Sequence, residues 1–530
     1  MRKIVTKAFL LLALSTLIVG CKSGKTSSID DDPIPMEFDN AEDYVYENVS
    51  NENGSASYEI FVRSYYDSDG NGTGDLLGVK EKIPYLADLG IKTLWLMPIH
   101  PSPTYHGYDV MDYYNVKNDL GTLEDFDAMI ATANQYNVDI ILDMVFNHCS
   151  KYNPYFTQAQ DDYRSSYSGE DSKKDWFTFY GSADSYEARF DSSMPDFNLD
   201  CQAVREEIEN IMKFWINRGV KGFRLDAVLY YYYNDTTKNV SFMNWLEDTA
   251  HKYNPDFYMV GENWSSDALV NSYHKSKLDS FFRFGTAVGG ENSLVNYMKG
   301  NGKARKLLST IEQNEKVIKQ NNPNSYASYF LSNHDQDRIG HNFDEMQNKC
   351  AASFYMLLPG TPFMYYGEEI GMLGKRKTSP DDYSDVRRRL PMVWSESDKT
   401  GQCVFPEKSR QDLAKNDQVE KGVNDRLSEP FSLLKHYKKV INLRNKYDFI
   451  KHGVFTSLYN ELNTEETAAY AFKISLGEQF IVVVHNSSSH NIQVSAPANT
   501  IVEQINTSHR IPTLIDGTLT LGAYSTVIMQ

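Results

Sequence analysis

The sequence predicts a (β/α)8 barrel with an insertion after its third strand and a C-terminal antiparallel β-sandwich, on three observations. Eight short apolar runs alternate with amphipathic helical patterns, which argues for a parallel sheet, and eight such strands argue for a closed barrel. Four of those runs belong to stretches that carry His, Glu or Asp near the carboxyl end of the strand, where such barrels place their chemistry. Beyond about Tyr447 the period falls to two, with Gly, Asn and Ser between short strands, as in a sandwich.

Taken in order, the chain opens like an export signal. Arg2, Lys3 and Lys7 precede an apolar run, Ala8 to Val19, that is too short to span a bilayer as a helix. It ends in Ile18-Val19-Gly20-Cys21, which resembles a bacterial lipoprotein cleavage box and would leave Cys21 as a lipidated first residue; ordinary secretion with cleavage nearby is the alternative. Residues 1–21 are therefore read as signal peptide and lipobox. Residues 22–55 are polar, acidic and aperiodic, and read as a flexible tether.

The eight barrel runs are Tyr58 to Val62, Thr93 to Pro98, Asp139 to Phe146, Val220 to Val228, Phe257 to Glu262, Leu278 to Phe284, Tyr326 to Leu331 and Pro362 to Tyr366. Helical patterns such as Leu77 to Leu89, Leu123 to Tyr136 and Ala203 to Arg218 fill the space between them. One connection does not fit. From His148 to about Asp200 the chain is polar and aromatic with little helical period, too long for an ordinary loop between strand and helix. The barrel is thus assigned to 56–148 and 202–446, the insertion to 149–201 and the sandwich to 447–530.

The central stretch is GVKGFRLDAVLY, Gly219 to Tyr230. Residues two apart on a strand share a face, so Arg224 and Asp226 point the same way, and a guanidinium beside a carboxylate keeps it ionised. That suits a nucleophile, although an ion pair on one strand is more often structural. The other strand-end stretches are DMVFNH (Asp143 to His148), MVGENW (Met259 to Trp264) and FLSNHDQDR (Phe330 to Arg338). Near the first strand, Asp67-Ser68-Asp69-Gly70-Asn71-Gly72-Thr73-Gly74-Asp75 sets oxygens at alternate positions, bent by glycines. Such a run either turns several oxygens toward one hard cation or is a metal-free Asx turn. It is not an EF-hand, because the twelfth position is Gly78 and no helix pair flanks it.

Composition narrows the partners. The chain has 530 residues, 41% apolar and 23% charged, enough for a barrel and smaller domains. A formal net charge of -18 would repel nucleic acid and anionic membrane, so membrane contact is expected only through a lipid anchor, and a neutral ligand fits better. The 36 tyrosines offer faces for sugar rings as well as core packing. Cys149, Cys201, Cys350 and Cys403 lack the close paired spacing of a zinc site. Cys149 and Cys201 bracket the insertion and would either form a disulfide at its base or stay free thiols.

Together the four stretches resemble the conserved regions of the α-amylase family of glycoside hydrolases, in the family's order and over most of the chain from about Ser57. The resemblance implies a barrel with domain B after strand 3 and a domain C sandwich. It also implies retaining hydrolysis of α-1,4 bonds in starch and maltooligosaccharides. Asp226 would be the nucleophile and Glu262 the general acid and base, about 5 to 5.5 Å apart. Asp335 would bind ring hydroxyls of the distorted sugar. Tyr108, in His106-Gly107-Tyr108-Asp109, would stack on the sugar, with His148, Arg224 and His334 also at the substrate. Charge from Asp226 and Asp335, with partial desolvation by Trp264, is expected to raise the Glu262 pKa. The acidic run resembles the calcium loop of the oligo-1,6-glucosidase-like branch, which carries over to Asp67, Asp69, Asn71, the Thr73 carbonyl and Asp75.

Met194-Pro195-Asp196-Phe197-Asn198 lies between the patterns of oligo-1,6-glucosidases and neopullulanases, as in the intermediary group that includes α-amylases. Many α-amylases have Lys-His where this chain has Leu229-Tyr230. Their absence removes a calcium ligand and a substrate-binding cation from the pattern. An α-1,6-glucosidase, a neopullulanase, a transglycosylase and a non-catalytic starch-binding protein are the rival readings, and all three family carboxylates are present.

Overall fold

The computed structural model describes residues 43–287, 293–299, 303–377, 384–406, 418–464, 468–507 and 510–530. Cys21 and the apolar run before it lie outside the described residues. Among the described residues no helix is long and apolar enough to cross a membrane.

Eight parallel strands form the first sheet: β1 (Ser57–Ile60), β2 (Thr93–Leu96), β3 (Asp139–Met144), β4 (Gly222–Leu225), β5 (Tyr258–Gly261), β6 (Ser280–Phe282), β7 (Tyr326–Ser328) and β8 (Phe363–Tyr365). Seven lie inside a run read from the sequence, and β1 starts one residue before its run, at Ser57. The order is β7-β6-β5-β4-β3-β2-β1-β8. The ring closes through one parallel bridge, Phe330 to Phe363, where the Phe363 N–H donates to the Tyr329 carbonyl at 2.8 Å. Trp95, Ile141, Val260, Phe282, Phe330 and Phe363 pack together as a separate apolar cluster. Trp95 then donates its indole N–H to Asp143 at 3.2 Å, the step from apolar filling to charged site.

Helices wrap the strands because their apolar faces need that surface. The helix Leu76–Leu89 shows the local logic: Asp75 caps it by accepting from the Gly78 N–H at 2.7 Å, and Gly90, at φ +95°, ends it. That left-handed backbone favours glycine, and a Cβ there would meet Ile441 at 2.9 Å.

The insertion departs from its reading in one respect. It contains a helix, Pro154–Ser165, whose buried Phe156, Ala159 and Asp162 repeat every third residue. Aromatic rings replace an extended core here: Phe156 sits 5.0 Å from Phe177 and 4.6 Å from Tyr186. The base is held without a disulfide, since Cys149 and Cys201 are both free. Backbone bonds hold it instead: Cys149 N–H to the Pro195 carbonyl at 3.1 Å and Phe197 N–H to the Asn147 carbonyl at 2.9 Å. Cys149 is fully buried, and Cys201 begins the helix Gln202–Asn217.

The end of the expected tether is not free chain. Tyr44 bonds His436 at 2.8 Å, Val49 N–H donates to Asn442 at 2.7 Å, and Lys439 donates to the Val45 carbonyl at 2.7 Å. Residues 43–55 thus lie along the helix Leu433–Lys446, which supplies the polar partners that composition alone does not reveal.

The C-terminal strands are β9 (Val454–Ser457), β10 (Ala469–Leu476), β11 (Gln479–Asn486), β12 (Ile492–Ser495), β13 (Ile501–Ile505), β14 (Thr513–Ile515), β15 (Thr518–Leu521) and β16 (Thr526–Met529). They make two antiparallel sheets, β13-β16-β11-β10-β9 and β12-β15-β14. Between them lie Ala471, Val482, Val484, Leu519 and Val527. Phe354, on the barrel helix Glu345–Tyr355, packs against Tyr470, Phe472 and His485 of the larger sheet.

Candidate active site

At the carboxyl ends of the barrel strands lies a cavity of about 730 Å³ lined by Tyr108, His148, Asp226, Glu262 and Asp335, among others. Beneath it the charges are arranged around one guanidinium. Parallel pairing of β3 and β4 sets Asp143 beside Arg224, and Arg224 Nη1 donates to Asp143 at 2.9 Å and to Asp226 at 2.6 Å. Arg224 Nη2 pairs with Glu262 at 2.9 Å. Arg224 is fully buried and does not line the cavity. It holds the carboxylates from beneath the cavity.

Backbone geometry adds a second restraint. Ala227, directly after Asp226, has φ +50°, a strained conformation for a residue with a Cβ. Its N–H donates to Glu262 Oε2 at 3.1 Å. Glu262 also continues the β4–β5 ladder, its N–H bonding the Leu225 carbonyl at 3.0 Å. The two carboxylates are fixed to the same guanidinium and to the same turn.

Burial pushes the Glu262 carboxyl up to about 7, against the pull of Arg224 and with help from Asp226 and Asp335. Burial, not neighbouring charge, leads. Trp264 is not the cover: it is 54% exposed and stacks on Phe284 at 4.9 Å. Asp335 is treated oppositely. Burial would raise it, but the charge and hydrogen bond of His334, then Arg389 and Arg224, hold it far below the usual carboxylate range.

His334 explains how. Desolvation would lower its pKa, yet Asp335 and Glu59 on either side raise it to about 10. Nδ1 meets Glu59 at 2.5 Å and Nε2 meets Asp335 at 3.1 Å. The ring is wholly buried, held between Glu59 and Asp335. Arg389 supports the same carboxylate at 2.9 Å and donates Nε to the His334 carbonyl at 3.2 Å.

Tyr108 and His148 do face the cavity. The Tyr108 hydroxyl bonds Asp143 at 3.0 Å and His334 at 2.7 Å, which fixes its ring at the wall. His148 receives Asn147 Nδ2 at Nδ1, its Nε2 lacks a hydrogen-bond partner among the described residues, and burial lowers its pKa. A neutral imidazole with one free nitrogen is suited to a hydroxyl. Glu59, Asp143 and Arg389 are the members that the sequence reading left out.

The acidic run folds into a tight loop in which Asp67, Asp69 and Asp75 each bring an oxygen within 4.8 Å of the others. Asp67 and Asp75 are buried. Crowded carboxylates repel unless a cation lies among them, and an all-oxygen set fits a hard one. Asn71 sits in the same loop, accepting from the Thr73 N–H at 2.8 Å and donating to Asp69 at 3.0 Å.

Comparison with known proteins agrees with this geometry. Residues 59–453 match the family model described as alpha amylase, catalytic domain. The chain is 36% identical over 483 residues to Alpha-amylase 3 of Dictyoglomus thermophilum, covering 89% of this chain and 92% of that protein. It is 27% identical to an oligo-1,6-glucosidase of Parageobacillus thermoglucosidasius, covering 81% and 89%. The solved structure of Amy13B from Eubacterium rectale superposes with a TM-score of 0.82 at 33% identity, covering 91% and 96%. With its eight-stranded barrel, its strand-end carboxylates and these relatives, the chain belongs to the α-amylase family of glycoside hydrolases.

Proposed function

We propose that this enzyme hydrolyses α-1,4-glucosidic bonds of starch and maltooligosaccharides with retention, through a covalent glycosyl ester. The observation that supports it best is the single guanidinium of Arg224 holding Asp226 and Glu262, with Glu262 kept protonated to about pH 7. In the first step Glu262 gives its proton to the glycosidic oxygen while Asp226 attacks the anomeric carbon. In the second, the Glu262 carboxylate takes a proton from water, which attacks that carbon and frees Asp226. Asp335, kept anionic by His334 and Arg389, binds ring hydroxyls and favours the distorted sugar. Tyr108 stacks on that ring, and the free nitrogen of His148 takes a hydroxyl.

Product analysis on amylose, pullulan, isomaltose and cyclodextrins tests the reading. Maltooligosaccharides released from amylose are expected. Glucose from isomaltose with amylose untouched would transfer the assignment to an α-1,6-glucosidase, and failure on every substrate would leave a starch-binding protein.

Two further properties belong to the same reading. Calcium is the cation we assign to Asp67, Asp69, Asn71, Asp75 and the Thr73 carbonyl, where it would brace the turn between β1 and the first helix. Export with a lipid on Cys21 places the enzyme at the bacterial membrane or cell surface, and labelled fatty acid should be incorporated by the native chain but not by Cys21→Ala. Equal labelling of both would remove the anchor.

A further inference from the structure

The insertion motif Met194 to Asn198 carries a buried carboxylate, Asp196, that the chemistry above leaves without a task. Backbone pairing sets it against the barrel. His148 and Asp196 form an antiparallel bridge, and the Phe197 N–H donates to the Asn147 carbonyl at 2.9 Å. Two donors then fix the carboxylate, one for each oxygen. Arg189 N–H, from within the insertion, bonds Oδ2 at 3.1 Å, and Asn147 Nδ2, just past β3, bonds Oδ1 at 3.1 Å. Burial pushes the Asp196 carboxyl up to about 7, against the pull of those two bonds.

The same amide nitrogen serves His148. Asn147 Nδ2 lies 3.2 Å from His148 Nδ1, so one of its two hydrogens goes to the ring and the other to Asp196. An ionised carboxylate only accepts, and it therefore decides which end of the amide faces it. Turned over, the amide would set its oxygen against the Asp196 oxygen, and a buried acceptor would go unpaired. With Nδ1 accepting, a neutral imidazole carries its hydrogen on Nε2. That nitrogen is the one without a partner among the described residues, on a side chain that lines the cavity. The amide presents nitrogen, not oxygen, to the carboxylate, which is the arrangement of a hydrogen bond and not of two ligands on one cation.

Resting on the reading above, we propose that Asp196 is a positioning residue: through the Asn147 amide it holds the His148 proton on Nε2, so that the imidazole donates to a hydroxyl of the glucose unit in the cavity. The insertion thereby sets the polarity of one contact in a site built on barrel strands.

Asp196→Asn tests this with no change of size. Arg189 N–H claims the oxygen of the new amide, so its nitrogen faces Asn147. The Asn147 amide then turns over, and its oxygen takes a hydrogen from His148 Nδ1. The nitrogen chemical shifts of the His148 ring, assigned by the signal missing in His148→Asn, are read at about pH 8, where Asp196 is largely ionised. Nε2–H in the native chain and Nδ1–H in Asp196→Asn are expected, with kcat/KM on maltoheptaose lowered about 10-fold, the worth of one hydrogen bond. Asn147→Asp/Asp196→Asn reaches the same Nδ1–H form by a second route. A native ring with its hydrogen on Nδ1, or a tautomer unchanged in both variants, would overturn the proposal, as would a reversed tautomer with kcat/KM unaltered. A native His148 signal that moves on chelation would put a cation between Asn147 and Asp196 and overturn it equally. A native chain with the Nε2–H signature but inactive on amylose and maltoheptaose would instead remove the hydrolase reading and keep the relay.

Discussion

Arg224 is the residue on which the active-site charges turn, because one planar group reaches Asp143, Asp226 and Glu262 at once. The two proposed catalytic carboxylates separate by leaving group. Glu262→Gln should lower kcat on maltooligosaccharides by about 10²–10⁴-fold, yet far less on α-maltosyl fluoride, which departs without a proton. Asp226→Asn should lose on the order of 10⁴-fold on both, with the fold retained by circular dichroism. The pH profile carries a sign. Glu262 has a folded value raised above that of a free glutamate, so the acid form is largely intact about one pH unit below 7 and is lost as pH rises through about 7. The kcat/KM of the native enzyme should fall as pH rises past neutral. Glu59→Gln removes one of the two anions around His334, so the imidazolium loses support and Asp335 its partner. A loss of about 10-fold in kcat with KM little changed is expected, since Asp335 acts in the transition state. The strand-end motifs made Asp226, Glu262, Asp335, Tyr108 and His148 readable. Glu59, Asp143 and Arg389 were not, because a lone charge in a strand or loop acquires meaning only from the neighbour that barrel closure brings to it.

Among the elements, the strands were the most legible, since an apolar run of four to eight residues bounded by turns survives any tertiary context. Their limits came out shorter than the runs because the strand-end residues leave the ladder to form the site. The helix Pro154–Ser165 escaped notice because its apolar face is narrow, with Phe156 and Ala159 on an otherwise polar sequence. Cysteine spacing was a weak guide: backbone pairing around Pro195 and Phe197 already closes the insertion. The helix Leu433–Lys446 contributes the strongest single tie. Arg444 is buried and donates Nη1 to the carbonyls of Met356 and Leu358, each at 2.7 Å, Nη2 to that of Gly360, and Nε to Ser55. Arg444→Met would leave those buried carbonyls without donors, at about 1–3 kcal/mol each. Denaturant unfolding should show a loss of about 3–5 kcal/mol, the range for breaking a buried charged network.

For the whole molecule, the acidic loop joins the first strand to the first helix, so a cation there would act on barrel stability and not on catalysis. Chelation should lower Tm by about 3 °C and added calcium restore it, the size expected of a ligand at about 100 times its Kd on a chain this long. Asp69→Ala should abolish the response, and a midpoint indifferent to chelator and calcium would count against bound metal. The sequence by itself determined the order of strands, the plan of barrel, insertion and sandwich, and the carboxylates of the site, because periodicity and strand-end motifs are local properties. Only the tertiary structure decided that Arg224 holds both carboxylates from beneath, that His334 lies between Glu59 and Asp335, that residues 43–55 lie along a helix, and that Asp196 meets Asn147. Those facts join residues distant in the chain, and no local pattern records which distant partner folding will set beside them.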